Sequence, residues 1–243
     1  TLSSSSAASD VYKRQAASPV GFACNGTTFA GTIDVTALTQ GAHTLDAKIL
    51  DAATNEGLST TINITVDTII PTISSVTVPT GGNYIIGNNL DFIVNLDEIT
   101  NVTGTPRLTL DIGGVTRYAD YVSGTGTTAL TFRYTVQSGD DDTDGLTYAA
   151  TSIDLNSGTL LDTASNPINL DMEATVTLPS LAAVHVYGVI PTVTITSSPD
   201  ITLANENTYS VTGTCSEDGR TVSVNIDGLP FTPNCSSGTW TTG

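Results

Sequence analysis

Apolar and polar residues alternate with a period of two through the middle of the chain. Leu90, Phe92, Val94 and Leu96 alternate with Asp91, Ile93 and Asn95, and Leu108, Leu110 and Ile112 alternate with Thr109 and Asp111. This is the rhythm of strands with one buried face. The second run meets Gly113-Gly114, a two-residue hairpin turn that demands positive φ, and returns through Val115 to Tyr121. A further turn at 123–126 leads into Leu130, Phe132, Tyr134 and Val136, again on one face. The pattern predicts a three-strand meander packed against strands at 73–78, 90–96 and 174–178. Two sheets are needed, because a lone twisted sheet cannot bury both apolar sets. The chain reads as all-β.

Two features divide it. Ile70-Pro-Thr-Ile73 and Ile190-Pro-Thr-Val193 stand about one domain apart. Proline lacks an amide hydrogen and biases its predecessor towards extended backbone, so it suits a short linker or the start of an edge strand. Cys24-Asn-Gly-Thr-Thr-Phe29 is echoed by Cys235-Ser-Ser-Gly-Thr-Trp240. The echo makes residues 16–68 the back part of one module and 191–243 the front part of another of the same type, around a complete module at 69–190. Only the middle module is expected to own a full core. Short linkers would leave the modules end to end as a semi-rigid rod. Residues 1–15 share none of this rhythm and are set aside as a disordered leader or processing debris; Ser9-Asp-Val-Tyr-Lys-Arg-Gln15 resembles translated sequencing-adapter sequence.

Composition narrows the function classes. Of 243 residues, 24 are Asp or Glu and only 7 Lys or Arg, a net charge of -17 that repels nucleic acid and anionic membranes. No signal peptide, membrane span or lipidation signal is read. Such acidity either recruits divalent cations or serves solubility in salt. Cys215 follows a strand-like run, and Cys235 precedes another twenty residues on. A disulfide between them would pin two strands in an oxidising, extracellular setting. Three free thiols in a reducing compartment is the alternative; metal ligation lacks matching histidines.

Thr105-Pro-Arg-Leu-Thr-Leu-Asp-Ile-Gly-Gly114, the 118–124 stretch, Leu130-Thr-Phe-Arg-Tyr134 and Gly139-Asp-Asp-Asp-Thr-Asp-Gly145 resemble the Ig-like repeat found in tandem in very large bacterial surface proteins. The flanks resemble a second, related type, through Thr212 to Gly219, the Cys-x-x-x-x-aromatic echo, Gly41-Ala-His-Thr-Leu45, Asp51-Ala-Ala-Thr-Asn55 and Asp67-Thr-Ile-Ile-Pro-Thr72. The resemblance implies tandem Ig-like Greek-key β-sandwich modules, one complete and two partial. It also implies an extracellular stalk or adhesin on the bacterial cell surface, secreted or anchored at the outer membrane and often stiffened by calcium. Its partners would be neighbouring Ig-like modules of the same chain, with no direct membrane insertion. The family's Asp-x-Ala-Gly-Asn loop appears at 51–55 and at Asp162-Thr-Ala-Ser-Asn166 with the glycine replaced both times, which puts the turn geometry in question. The junction aspartate, Asp67, aligns with Tyr187 at the second boundary, so linker-held calcium is expected at the first junction only.

Asp140-Asp-Asp-Thr-Asp-Gly145 reads as Asp-x-Asp-x-Asp-Gly, so Asp140, Asp142 and Asp144 could converge on one hard cation, with Gly145 letting the backbone reverse around it. The position of an EF-hand's bidentate glutamate holds Thr151, which excludes a full site of that kind. A loop site completed by water and carbonyls would bind calcium weakly, at roughly 10⁻⁴ to 10⁻³ M. A solvated acidic turn is the other reading. Catalytic residues are not found: His43 and His185 stand alone, and Asp97-Glu98 would point to opposite faces of a strand. The Asn-x-Ser/Thr sequons at Asn25, Asn63, Asn101 and Asn234 arise readily in a Thr-rich chain and are given no role. Two functions remain: a spacer that projects an adhesive tip, and a binding module that grips a cell-surface glycan or protein through its end loops. The second would need an exposed aromatic platform, for which Tyr84 is the obvious residue.

Overall fold

The computed structural model describes residues 8–13, 20–23, 34–51 and 53–242, the first two stretches by backbone alone. No helix occurs among them, so none is long and apolar enough to cross a membrane. The chain forms two compact units, Thr1–Pro71 with Leu161–Ile168, and Thr72–Leu160 with Asn169–Gly243.

The first unit holds one sheet of β1 (Ala8–Lys13), β2 (Val20–Ala23), β3 (Gly41–Leu50), β4 (Glu56–Leu58) and β5 (Ile62–Val66). The long β3 pairs β1 over 45–49, β4 at 48–50 and β5 over 41–45, all antiparallel. Part of the stretch expected to be a disordered leader is therefore a strand. A strand edge presents unpaired backbone groups that any extended segment can satisfy. The echo at Cys24–Phe29 lies outside the described residues. No described residue from 34 to 70 is fully buried.

The second unit contains β6 (Ile73–Thr77), β7 (Gly82–Ile85), β8 (Asn89–Thr103), β9 (Arg107–Ile112), β10 (Val115–Ser123), β11 (Thr127–Thr135), β12 (Asp141–Asp142), β13 (Thr147–Tyr148), β15 (Val184–Tyr187) and, but for its last residue, β14 (Thr159–Leu161). The meander β9-β10-β11 is present, and Leu90, Phe92, Val94, Leu108, Leu110, Leu130 and Phe132 are wholly inaccessible to solvent. At the hairpin, Gly113 and Gly114 have φ of 58° and 79°, and a Cβ on Gly113 would lie 1.9 Å from the Asp141 carbonyl oxygen. Both conformation and space require glycine there.

The second layer differs from the expected one. The strands at 73–77 and 89–103 lie in the meander's own sheet, in the order β13-β9-β10-β11-β8-β14 with β6 also on β8. The smaller sheet is β12-β15-β7, in which β15 runs parallel to β7 and turns Val184 and Val186 inward. Residues 174–175 lie in a turn, 176 in a bend and 177–178 in irregular backbone, and the Thr175 hydroxyl donates to the Ile73 carbonyl oxygen. Alternation tells which face of a strand is buried, but not which sheet the strand joins.

The remaining strands are β16 (Val193–Ser197), β17 (Thr212–Cys215), β18 (Val224–Ile226), β19 (Leu229–Phe231) and β20 (Thr239–Thr241), in a sheet β16-β17-β20 and a hairpin β18-β19. Trp240, Val211 and Val224 form a small core of their own. The indole lies over Gly213 and donates to the carbonyl oxygens of Thr194 and Thr214, both at 3.2 Å; any side chain at 213 would collide with it. Cys215 and Cys235 form a disulfide, with Cα atoms 6.0 Å apart.

Candidate functional site

The acidic loop closes one end of the small sheet, and its carboxylates do not converge. Asp140 is 2% exposed. One oxygen accepts from Arg117 Nε at 2.7 Å; the other accepts from the Tyr134 hydroxyl at 2.5 Å and the Gln137 amide at 2.7 Å. Burial pushes the Asp140 carboxyl up, but the Tyr134 hydroxyl, the Gln137 amide and the Arg117 guanidinium outweigh it and hold it below the usual carboxylate range. Burial first, and then the neighbouring carboxylate, push Tyr134 up to about 12. Asp142 is also buried and braces two turns, accepting from Gly113 N at 2.8 Å and Gly145 N at 2.9 Å. Asp144 is exposed. Among the described residues these three aspartates form no metal-holding group, a departure from the convergence expected of Asp-x-Asp-x-Asp-Gly. The physical reason is that Asp140 and Asp142 spend their lone pairs inside the protein, on an arginine, a tyrosine and backbone amides.

The two Asp-x-Ala-x-Asn loops share one geometry. Asp51 Oδ1 accepts from the amides of Ala53 and Asn55, and Oδ2 from Asn55 Nδ2, each at 2.8 Å. Asp162 repeats this with the Ala164 and Asn166 amides and Asn166 Nδ2, again each at 2.8 Å. Both aspartate amides also donate to the asparagine carbonyl oxygen at 3.0 Å. The residues at the fourth position of each loop, Thr54 and Ser165, have positive φ, 68° and 74°. The turn survives without glycine because the Asp-Asn brace over-determines it. For Asp162, burial raises the carboxyl's pKa, but the Asn166 side chain and the loop amides outweigh it and hold the group low.

The same unit brings Asp67 to this loop. Asn166 Nδ2 donates to the Asp67 carbonyl oxygen at 3.1 Å, and carboxylate oxygens of Asp67 and Asp162 lie within 4.8 Å of each other. Asp67 Oδ1 accepts only a long bond, 3.3 Å, from the Ile69 amide. Among the described residues neither carboxylate has a lysine or arginine in ion-pair range, in contrast to Asp140, Asp91 and Asp154. Two like charges this close, each able to accept further donors, suit a hard cation with oxygen ligands.

The other sequence candidates are structural. Asp97 accepts from the Thr72 amide and hydroxyl, each at 2.7 Å, and its own amide returns a bond to the Thr72 carbonyl oxygen. Ser216 clamps Thr192 in the same reciprocal way. Each Pro-Thr entry is thus pinned by the residue opposite it. Tyr84 is half-buried on β7, and its hydroxyl donates to the Thr80 carbonyl oxygen at 2.8 Å. His43 Nε2 donates to the Thr39 carbonyl oxygen at 2.7 Å, and His185 lies on β15 with Nδ1 buried. A feature the sequence reading missed is the outer face of β16-β17-β20. There Thr194 pairs Thr214, Thr214 pairs Thr239 and Thr212 pairs Thr241, while Thr196 reaches Thr212. The signal was three Thr-x-Thr triplets, 194–196, 212–214 and 239–241, which place both threonines of a strand on one side.

No family model and no curated protein matches the sequence. Among solved structures, the chain is similar to a Ca2+-stabilised adhesin that helps an Antarctic bacterium reach out and bind ice, at 18% identity and a TM-score of 0.36, over 97% of this chain and 56% of that one. It is also similar to a 1.5-MDa bacterial ice-binding adhesin studied for host cell surface retention, at 16% identity and a TM-score of 0.39, over 98% of this chain and 74% of that one. The FN1–FN3 domains of chicken CNTN1 match at 7% identity and a TM-score of 0.26, over 97% of this chain and 80% of that one. The chain spans about half the length of the first of these structures.

Proposed function

We propose that this chain is a non-catalytic stalk segment of a large bacterial surface adhesin, built from tandem Ig-like β modules and stiffened by calcium. The observation that carries the reading is the confinement of strand pairing. Every pairing among the described residues falls within 8–66, 73–187 or 193–241, as in a series of modules that each contact only their neighbours. The Cys215–Cys235 disulfide supports an oxidising, extracellular setting. Recognition of glycan or protein through end loops finds less support, because Tyr84 is tied back to Thr80 instead of standing free.

Calcium belongs, on this reading, to Asp67 and Asp162, whose charges are uncompensated, and not to Asp140, Asp142 and Asp144. Titration of the whole chain with calcium after EDTA treatment tests it. Binding at roughly 10⁻⁴ to 10⁻³ M is expected, and an ion at about 100 times its Kd adds about 2.7 kcal/mol to the part that holds it. Cleavage by protease at 67–71 should slow in parallel. Asp67→Asn should abolish both effects, and Asp144→Asn should change neither. Equal melting and cleavage in EDTA and calcium would remove calcium from the proposal.

A further inference from the structure

Within the second unit the chain enters a folded stretch at Thr72 and leaves it at Gly188, and the strands nearest these points run parallel. β15 lies beside β7 in the same direction, with Val184 opposite Gly82 and Tyr187 opposite Ile85. β7 turns tightly into β8, the Asn88 amide donating to the Ile85 carbonyl oxygen at 2.9 Å. β6 is antiparallel to β8, so it runs with β7 and β15. All three strands start from the end where Thr72 lies, and β15 finishes at the opposite end. Tension between Thr72 and Gly188 therefore draws β7 and β15 past each other along their length. The bonds of a parallel ladder are evenly spaced between the strands, so a lengthwise pull loads them together. Peeling the strands apart from one end would load them one at a time.

Both ends of this path are fastened. At the entry, Asp97 on β8 accepts from the Thr72 amide and hydroxyl, each at 2.7 Å, and its own amide donates back to the Thr72 carbonyl oxygen. Where β6 passes into β7, a Cβ on Gly81 would lie 2.9 Å from the Ala183 Cβ, and the Gly82 amide donates to the Ala183 carbonyl oxygen at 2.8 Å. At the exit, the Gly188 amide donates to the Asp140 carbonyl oxygen, and the Gly139 amide donates to the Gly188 carbonyl oxygen at 2.9 Å. A Cβ on Gly188 would meet the carbonyl oxygens of Gln137 and Asp140 at 2.4 Å, so only glycine fits there. The Asp140 carboxylate is held in turn by Arg117 on β10 and Tyr134 on β11. Load leaving through Gly188 thus reaches the large sheet by way of the acidic loop. We propose that the β7–β15 pair, fastened by Asp97 at the entry and by the Asp140 loop at the exit, is a shear clasp that keeps this part of the chain folded under lengthwise pull. This rests on the stalk reading, in which the chain carries load. It gives the acidic loop a task that needs no cation.

Single-molecule stretching of the whole chain from its two termini tests this, read as the unfolding rate at a fixed force. The event that belongs to this stretch is recognised by its release of about 120 residues, a span of about 400 Å when extended. The comparison is the same chain held at two exposed positions, through Ile86→Cys and Val189→Cys in a Cys24→Ser background. Both handles then lie at one end of the β7–β15 ladder and peel it. Peeling should unfold the stretch at least about tenfold faster than the end-to-end pull at equal force. Under end-to-end load, Asp97→Ala should also unfold at least about tenfold faster, since bonds to a charged group are lost on the path. Asp154→Ala is the control: it too loses two bonds, from Arg107 and the Asn156 amide, but it lies off the path and should leave the loaded rate unchanged. Urea unfolding should show both variants weakened alike. Equal rates for the two pulling directions would overturn the proposal, and that comparison holds even if Asp97→Ala fails to fold. So would an Asp154→Ala chain that yields under load as fast as Asp97→Ala, because stability alone would then set the rate. If direction makes no difference while Asp67→Asn still abolishes calcium binding, the clasp fails and the stalk reading stands. A clasp that behaves as expected in a chain indifferent to calcium removes the calcium and keeps the clasp.

Discussion

Asp140 and Asp162 are nearly the same residue by every local measure. They are 2% and 3% exposed, and each accepts three hydrogen bonds. They differ in one respect: the charge on Asp140 is met by the Arg117 guanidinium at 2.7 Å, whereas Asp162 is held by neutral amides alone and faces a second carboxylate, Asp67. The run of acids at 140–144 is therefore electrostatically settled where it is most buried. The sparser acids at the first junction are not. What invites a cation is the charge left uncompensated at a point, and a count of carboxylates along the chain does not report it.

The largest effect should come from breaking the settled member of the pair. Asp140→Ala strands the Arg117 guanidinium and the Tyr134 hydroxyl together and should cost about 3 kcal/mol in urea unfolding of the second unit. The double variant Arg117→Met, Asp140→Asn should cost less than the sum of its two single changes, because the pair acts as one. If Asp140→Ala is nearly neutral, the guanidinium compensates nothing and the contrast with Asp162 collapses.

Titration sharpens the same contrast. Both carboxyls are held below their ordinary value in the fold, so their contribution is present above about pH 4 and is lost as pH falls further. Asp162→Asn should flatten this acid limb while leaving stability above pH 5 less affected than Asp162→Ala does. The truncation removes all three loop hydrogen bonds and should cost about 2 kcal/mol. At the other extreme Tyr134, pushed up to about 12, contributes stability that is complete below about pH 10 and lost as pH rises towards 12. Tyr134→Phe should remove part of that alkaline loss, measured as the pH at which half the second unit unfolds.

The residues that proved legible in the sequence are those whose role is local. Leu90, Phe92 and Val94 announce a one-sided strand by period alone, and Gly113-Gly114 announces its own turn. The spacing of Cys215 and Cys235 about strand-like runs suggested the bridge that is present. What stayed hidden depends on residues distant in the chain. The parallel contact between β7 and β15 joins segments about a hundred residues apart, and no rhythm in either names the other. The Asp140 loop looked like a cation site because its carboxylates alternate along a tight turn, while the arginine that satisfies Asp140 lies 23 residues upstream on β10. Residues 174–178 carry a strand-like Ala-Thr-Val-Thr-Leu rhythm, yet they pair with no strand, and the Thr175 hydroxyl donates to the Ile73 carbonyl oxygen. Asp67 meets Asp162 across 95 positions, which only the fold could reveal.

The smallest predicted effect tests whether the two Asp-x-Ala-x-Asn loops are really one device. Thr54 and Ser165 hold φ of 68° and 74°, a region that costs a residue with a Cβ roughly 1–2 kcal/mol. Glycine would relieve that cost and reintroduce about 0.5–1 kcal/mol of backbone entropy, leaving a net gain of about 0.5 kcal/mol at each site. The gain should be the greater for Thr54→Gly, because a branched side chain tolerates this conformation least. Its one bond, from the Thr54 hydroxyl to the Ala53 carbonyl oxygen, is exposed and contributes little against the strain. Hydrogen exchange at the Asn55 and Asn166 amides reads each loop separately, since both donate to the bracing aspartate. Slower exchange in both glycine variants would mean that the Asp-Asn brace alone holds the turn against its own backbone. Faster exchange in either would mean that the side chain at that position supports the loop, and that the two turns share a shape without sharing its cause.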